Sequence, residues 1–291
     1  MFTGSLVPIV TPFQNGKIDH AGLERVIEYV LRGGSDGIIP CGTTGESATL
    51  SHEEHEEVIH STIAIVKKRV PVIAGTGSNS TAEAIRLTRA AEKAGADGAL
   101  LISPYYNKPT QEGIFQHYKA IAEAVKIPFL VYNIPGRTGS KIEPATLARL
   151  SHVPRVAGVK EATGSIETTV EILASAREGF AVYSGEDAIN FPILACGGHG
   201  LISAMANVVP KHLADQARAA REKRWDEARR LHFELLPITK MLFAETNPIP
   251  VKTACALLGL CSAEMRLPLT PLSEGNLARL KKTLADYKLA A

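Results

Sequence analysis

Two kinds of apolar pattern alternate along the chain. Short unbroken apolar runs at residues 6–10, 37–40, 70–74, 98–102, 128–132, 156–160, 180–183 and 200–203 read as buried strands. Between them, apolar positions recur at helical spacing. Leu23, Val26, Ile27, Val30 and Leu31 form one such stripe, opened by Asp19 as a cap and closed at Gly33-Gly34. Ser51-His-Glu-Glu54 and Ser80-Thr-Ala-Glu83 each have the form of a capping box at the head of a helix. Further helices are expected over residues 111–125 and after Pro144.

Strict alternation of strands and helices implies a parallel sheet with right-handed crossovers. Eight such units in roughly 220 residues match a closed (β/α)8 barrel, the TIM barrel of the α/β class. An open doubly wound sheet is the alternative. Against it, Gly75-Thr-Gly77-Ser-Asn-Ser80 lacks the third glycine of a dinucleotide-binding turn. The strands stop near residue 224. Helices are expected over 225–243, 249–258 and 274–288, with Pro248 and Pro250 parting the first two. The expected division is therefore a barrel over residues 1–224 and a C-terminal helical appendage over 225–291. The appendage is too short for a sizeable core of its own, so it is expected to dock on the barrel or on another subunit.

Composition narrows the function. Hydrophobic residues make up 45% of the 291 and charged residues 21%, enough for a full core. A net charge of +2 with 5% aromatics suits neither a nucleic-acid partner nor a membrane surface. There is no basic segment leading into a long apolar one, so no secretion signal or membrane span is expected. Cys41, Cys196, Cys255 and Cys261 show no paired spacing, which reads as reduced thiols in a cytoplasmic protein.

The sixth apolar run, Val156-Ala-Gly-Val-Lys160, ends in a lysine. Desolvation there would push the amine toward its neutral form, a nucleophile for carbonyl carbons. Strand alternation puts Val156, Gly158 and Lys160 on one face, with Gly158 leaving room for the lysine stem. The plain alternative is a lysine that snorkels to the rim and pairs with a carboxylate.

In a barrel of this class the active site lies at the carboxyl ends of the strands. Tyr132, Thr43, Thr44, Tyr105, Tyr106 and Arg137 all fall at that mouth with Lys160. Each has an ordinary reading too: a rim tyrosine, a glycine-flanked turn, a loop salt bridge. A glycine-flanked loop also offers backbone N–H groups to an anion, and an arginine can grip a carboxylate with two hydrogen bonds. Cys41 reads as a packed thiol, since no histidine stands close in sequence to activate it. His52 and His55 lack the spacing of a zinc site, and Gly197-Gly198-His199-Gly200 lies at the amino end of its strand, the wrong face for a phosphate loop.

Gly42-Thr-Thr-Gly-Glu-Ser-Ala-Thr-Leu50, Pro104-Tyr-Tyr-Asn107, Tyr132-Asn-Ile-Pro-Gly-Arg-Thr-Gly139, Gly158-Val-Lys-Glu-Ala-Thr-Gly164 and Asn247-Pro-Ile-Pro-Val-Lys252 together resemble the dihydrodipicolinate synthase family. That family is a branch of the pyruvate-dependent class I aldolases, which include N-acetylneuraminate lyase. The resemblance covers nearly the whole chain. It implies a lyase that condenses pyruvate with L-aspartate 4-semialdehyde to 4-hydroxy-tetrahydrodipicolinate, in lysine and diaminopimelate biosynthesis, with no metal or organic cofactor. Lys160 would form the Schiff base, and Tyr132 would relay protons. Thr43 would link Tyr132 to Tyr106 of a partner subunit in a homo-oligomer, usually a dimer of dimers. Thr43 and Thr44 would hold the pyruvate carboxylate, Arg137 the carboxylate of the semialdehyde, and Gly185 and Ile202 would line the pocket. Ser47, Ala48, Leu50, His52, His55, Asn79, Glu83 and Tyr105 match the positions at which lysine-inhibited members bind free lysine. Three rivals remain open at this point: a pyruvate lyase acting on a sugar acid, a pyridoxal-phosphate barrel enzyme, and a non-catalytic lysine-sensing barrel.

Overall fold

In the computed structural model, which describes residues 2–289, the apolar runs form one eight-stranded parallel sheet. Along the chain the strands are β1 (Gly4–Pro8), a small hairpin of β2 (Phe13–Gln14) and β3 (Lys17–Ile18), β4 (Gly37–Ile39), β5 (Ile73–Gly75), β6 (Gly98–Ile102), β7 (Phe129–Asn133), β8 (Val156–Glu161), β9 (Ala181–Ser184) and β10 (Gly200–Ile202). The order β4-β1-β10-β9-β8-β7-β6-β5 runs round a ring. A parallel bridge between Ile38 and Val72 joins its two ends, so the sheet closes on itself as a TIM barrel.

The helices begin where the capping residues put them. The Asp19 carboxylate accepts the Gly22 N–H at 2.9 Å and opens α1 (His20–Arg32). Ser51 and Glu54 complete the capping box of α2 (His52–Val66). The second box is only half made. Ser80 accepts the Glu83 N–H at 3.4 Å at the head of α3 (Thr81–Ala94), but the Glu83 carboxylate turns away to Ser78 and His52. The ring continues with α4 (Gln111–Ala124), the short α5 (Pro135–Thr138), α6 (Pro144–Ser151), α7 (Ile166–Ser175), α8 (Asn190–Ala195) and α9 (Pro210–Arg221).

Leu6, Ile39, Ile73, Leu100, Leu130, Tyr183 and Ile202 fill the barrel interior. The C-terminal helices α10 (Trp225–Leu242), α11 (Ile249–Leu257) and α12 (Glu274–Asp286) dock on the barrel's flank. Leu235, Ile238 and Leu242 share one continuous core with Val26 and Val30 of α1 and with Leu213 and Ala217 of α9. No helix among the described residues is long and apolar enough to cross a membrane.

Further local features differ from the sequence reading. β1 starts and ends two residues early: Gly4 already pairs with Gly200 at its start, and at its end the Val10 N–H leaves the ladder for the Asn207 side chain at 3.1 Å. The β2–β3 hairpin was not anticipated. Asn15 and Gly16 turn it with φ of 53° and 77°, the conformation a two-residue hairpin loop of that composition adopts. In β8 the register shifts, with Phe129 opposite Val156 but Leu130 opposite Gly158. That irregularity rotates Val156 outward, where it packs with Val159 and Ile172 against the helices. Nor does Gly158 house the lysine stem. A β-carbon there would lie 2.3 Å from the Ala181 carbonyl oxygen, so the glycine lets β9 approach β8.

Gly158→Ala is therefore expected to lower stability by about 1–3 kcal/mol, read from the urea midpoint, as overpacking against backbone does. Gly136→Ala, whose new methyl meets nothing within 4 Å, serves as the control and leaves the midpoint in place.

Candidate active site

The parallel register sets Tyr132 directly beside Lys160 on the neighbouring strands β7 and β8. Both side chains point into the barrel, and the Lys160 Nζ lies 4.2 Å from the centre of the Tyr132 ring. One residue further along, Asn133 and Glu161 face the other way. Asn133 donates to Glu161 at 2.9 Å and pairs in both directions with the Ile142 backbone, which fixes the ends of the two strands. The lysine stem rests on Gly185, just past β9. A β-carbon at that position would come within 2.8 Å of the Lys160 Cγ and 2.9 Å of its Cε. Gly185 is thus the glycine that makes room for the lysine.

Burial lowers the Lys160 amine to about 8; the Asp187 carboxylate opposes the shift, Arg137 adds to it, and Glu186 opposes it. Roughly a tenth of the amine is therefore neutral near pH 7, against well under a thousandth for an ordinary lysine. Burial pushes the Tyr132 phenol up to about 12, against the pull of Arg137 and the Thr43 hydroxyl. It stays protonated and can donate.

Lys160, Tyr132, Thr43, Thr44, Arg137, Gly185 and Ile202 line one cavity of about 210 Å³, the volume of a small acid. Its floor at the end of β4 is a tight loop. The amides of Gly45, Glu46 and Ser47 turn back onto carbonyls of Gly42 and Thr43 at 3.0–3.5 Å. Those of Thr43 and Thr44 donate to no acceptor among the described residues, which leaves two N–H groups for an anion. Arg137, on α5, donates to the Asn247 carbonyl at 2.9 Å, and the Asn247 amide donates to the Thr44 hydroxyl at 3.0 Å. A nucleophilic amine, an anion cradle, a guanidinium and a phenol thus meet in one cavity. That set suits a keto acid attached through its carbonyl carbon, with a second acid held by the arginine.

Tyr106 does not join this group in its own chain. Its side chain is 90% exposed and its backbone is left-handed, with φ of 71°. Cys41 is buried, and burial pushes its thiol up, as expected of a packed residue. Asp187 and Asn247 line the cavity without having been assigned a role from the sequence. The acidic pair after Gly185, at a strand's carboxyl end, was the available signal for Asp187.

A second cavity, of about 430 Å³, adjoins the first and shares Thr43, Arg137 and Asn247 with it. Ser47, Ala48, Leu50, His52, His55, Glu83 and Tyr105 line it. Asn79 stands just behind, donating to the Tyr105 carbonyl at 3.2 Å. Glu83 accepts from Ser78 and meets His52 at 2.8 Å; the Ser78 hydroxyl foremost, then His52, keeps its carboxyl below the usual range. The His55 Nε2 is buried without a partner, and burial lowers that imidazole's pKa.

The Dihydrodipicolinate synthetase family profile matches residues 1–287. The 4-hydroxy-tetrahydrodipicolinate synthase of Citrifermentans bemidjiense is 53% identical over 289 residues, 99% of this chain and 100% of the relative. The dihydrodipicolinate synthase of Acinetobacter baumannii, solved with pyruvate, superposes with a TM-score of 0.97 at 45% identity over 99% of this chain and 100% of the other. The enzyme from Cyanidioschyzon merolae, solved with lysine bound, gives a TM-score of 0.96 at 37% identity, covering 99% of each chain. On these matches and this fold, the chain belongs to the dihydrodipicolinate synthase family.

Proposed function

We propose that this enzyme condenses pyruvate with L-aspartate 4-semialdehyde through a Schiff base on Lys160, giving 4-hydroxy-tetrahydrodipicolinate for lysine and diaminopimelate biosynthesis. The observation that carries the reading is the buried Lys160 amine, set beside Tyr132 in the cavity that the Thr43–Thr44 loop also lines. The pyruvate carboxylate takes the Thr43 and Thr44 N–H groups, which brings its carbonyl carbon to the Lys160 Nζ. Attack gives a carbinolamine. The phenol of Tyr132 protonates the departing hydroxyl, water leaves, and an iminium ion remains. Loss of a methyl proton yields the enamine, whose carbon attacks the aldehyde. Arg137 holds that substrate's carboxylate. The substrate amine then adds to the iminium carbon and expels Lys160, which closes the ring.

Two further parts belong to the proposal. Proton transfer runs from Tyr132 through Thr43 to Tyr106 of a second copy in a homo-oligomer; a tyrosine this exposed on its own chain is free to enter a neighbour's mouth. Free lysine binds the larger cavity and inhibits, its ammonium group on Glu83, and the shared walls at Thr43, Arg137 and Asn247 connect it to the substrates. The free thiols suit a reducing compartment such as the cytoplasm.

Borohydride reduction with pyruvate should modify Lys160 alone, and peptide mass mapping reads this directly; modification elsewhere removes the mechanism. The attacking amine must be neutral. Hence kcat/KM for pyruvate should climb about tenfold per pH unit at low pH and level off above about 8. Arg137→Leu should reduce kcat/KM for the semialdehyde by about 10–150-fold, the worth of a charge-assisted hydrogen bond, while pyruvate is still trapped. Equal loss in both half-reactions would argue against that role. Millimolar lysine should inhibit, and Glu83→Ala should raise the half-inhibitory concentration by about tenfold or more. Activity indifferent to lysine would show the larger cavity to be only a polar surface.

A further inference from the structure

The loop that offers the two unpaired amides is not held by the strand from which it grows. Glu46, its last residue, has a left-handed backbone with φ of 53°, a conformation a non-glycine residue keeps only when its surroundings impose it. Its side chain is fully buried, and both carboxylate oxygens are engaged by the C-terminal part of the chain. Lys252 on α11, also fully buried, donates to one oxygen at 2.6 Å, and the Arg266 backbone N–H donates to the other at 3.2 Å. The Lys252 Nζ lies 4.1 Å above the Phe13 ring, and the Arg266 guanidinium lies 4.2 Å from the same ring. Arg266 then grips Glu54 with two bonds of 2.6 Å and donates to the Thr49 carbonyl at 3.0 Å. Two neighbouring contacts complete the clamp: Thr11 donates to the Gly45 carbonyl at 2.7 Å, and Asn247 to the Thr44 hydroxyl at 3.0 Å.

We propose that the buried Glu46–Lys252 ion pair is a positioning element for the keto-acid subsite, holding the Thr43 and Thr44 amides at the geometry that receives the pyruvate carboxylate. The inference rests on the reaction proposed above. Neither side chain lines the Lys160 cavity, so the pair acts through the loop and not on the substrate. Among these contacts it is the ion pair with both side chains fully buried, whereas Arg266 and Glu54 are partly exposed, and a loop carrying an unpaired buried carboxylate would move to reach water.

The test compares the intact enzyme with Lys252→Met, which keeps the aliphatic stem, and with Glu46→Gln, which keeps volume and an acceptor. Steady-state rates are measured in both substrates, with borohydride trapping and a melting curve alongside. In Lys252→Met, kcat/KM for pyruvate should fall about tenfold or more, as misplacement of a binding group does. The corresponding value for the semialdehyde, which reports the half-reaction after pyruvate is covalently attached, should move less than about threefold. Glu46→Gln should show the same selectivity with a smaller loss, and it carries the test should Lys252→Met not fold. Trapping of Lys160 should still reach completion at saturating pyruvate. Proportional loss in both substrates together with a lower melting point, or unchanged pyruvate kinetics in a folded variant, overturns the inference and leaves the reaction standing. Failure of the intact enzyme to be trapped by pyruvate overturns the reaction and this inference with it.

Discussion

Keeping one amine out of water without giving it a counter-charge is the constraint on which the site depends. The chain contains an internal comparison. Lys160 and Lys252 are both buried, each stacked about 4 Å above an aromatic ring. Lys252 meets the Glu46 carboxylate at 2.6 Å, and that attraction opposes the downward pull of burial. It is held as a structural cation. Lys160 makes no salt bridge among the described residues; Asp187 acts on it from a distance, and Arg137 works against the charge. Burial thus lowers both amines, and they differ in what opposes it: a carboxylate in direct contact for Lys252, and only more distant charges for Lys160.

The rest of the site follows from how a parallel barrel distributes its side chains. Strands supply what must be rigid. Tyr132 and Lys160 are in register on β7 and β8, and their outward neighbours Asn133 and Glu161 tie the strand ends together. Loops supply what must recognise. The Thr43–Thr44 turn, Arg137 on its four-residue helix, and Gly185 come from three different strand ends. Loops of this kind are ordinarily the mobile part of a barrel. Here the first two are fastened by the C-terminal part of the chain, through Asn247 to both Thr44 and Arg137, and through Lys252 to Glu46. The helical appendage is therefore part of the machinery of the mouth as well as a cover for the barrel's flank.

Much of this was legible in the sequence because it is local. Helix starts at Asp19 and Ser51 are written within four residues, and strand alternation is enough to put Tyr132 and Lys160 at one mouth. What escaped is long-range or depends on a single backbone irregularity. The shift in β8 turns Val156 outward and makes Gly158 a contact for β9; no pattern of residue types within the strand encodes that. The role expected of Gly158 falls to Gly185, which is distant in sequence and adjacent in space. The sequence offers Glu83 both as a capping residue and as a cavity residue, and it cannot be fully both; two side-chain partners outcompete the backbone amide. The Asn15-Gly16 hairpin is a different matter, since that dipeptide is itself a strong local hairpin signal.

The two cavities share Thr43, Arg137 and Asn247, and this limits what an effector in the larger one can do. A ligand shifts a site only by as much as its own affinity differs between the site's states. Lys160 and Tyr132 lie on paired strands and have little freedom to respond. Arg137 has more, because it is exposed on a short helix and, among the described residues, its side chain's one hydrogen bond goes to the Asn247 carbonyl. On the proposed roles, an effector beside these shared walls would change how the loop and the arginine hold carboxylates, while the amine's burial stays as it is. On the proposed reaction, coupling of this kind, typically about 1–3 kcal/mol, would act on substrate capture and leave the Lys160 amine in place.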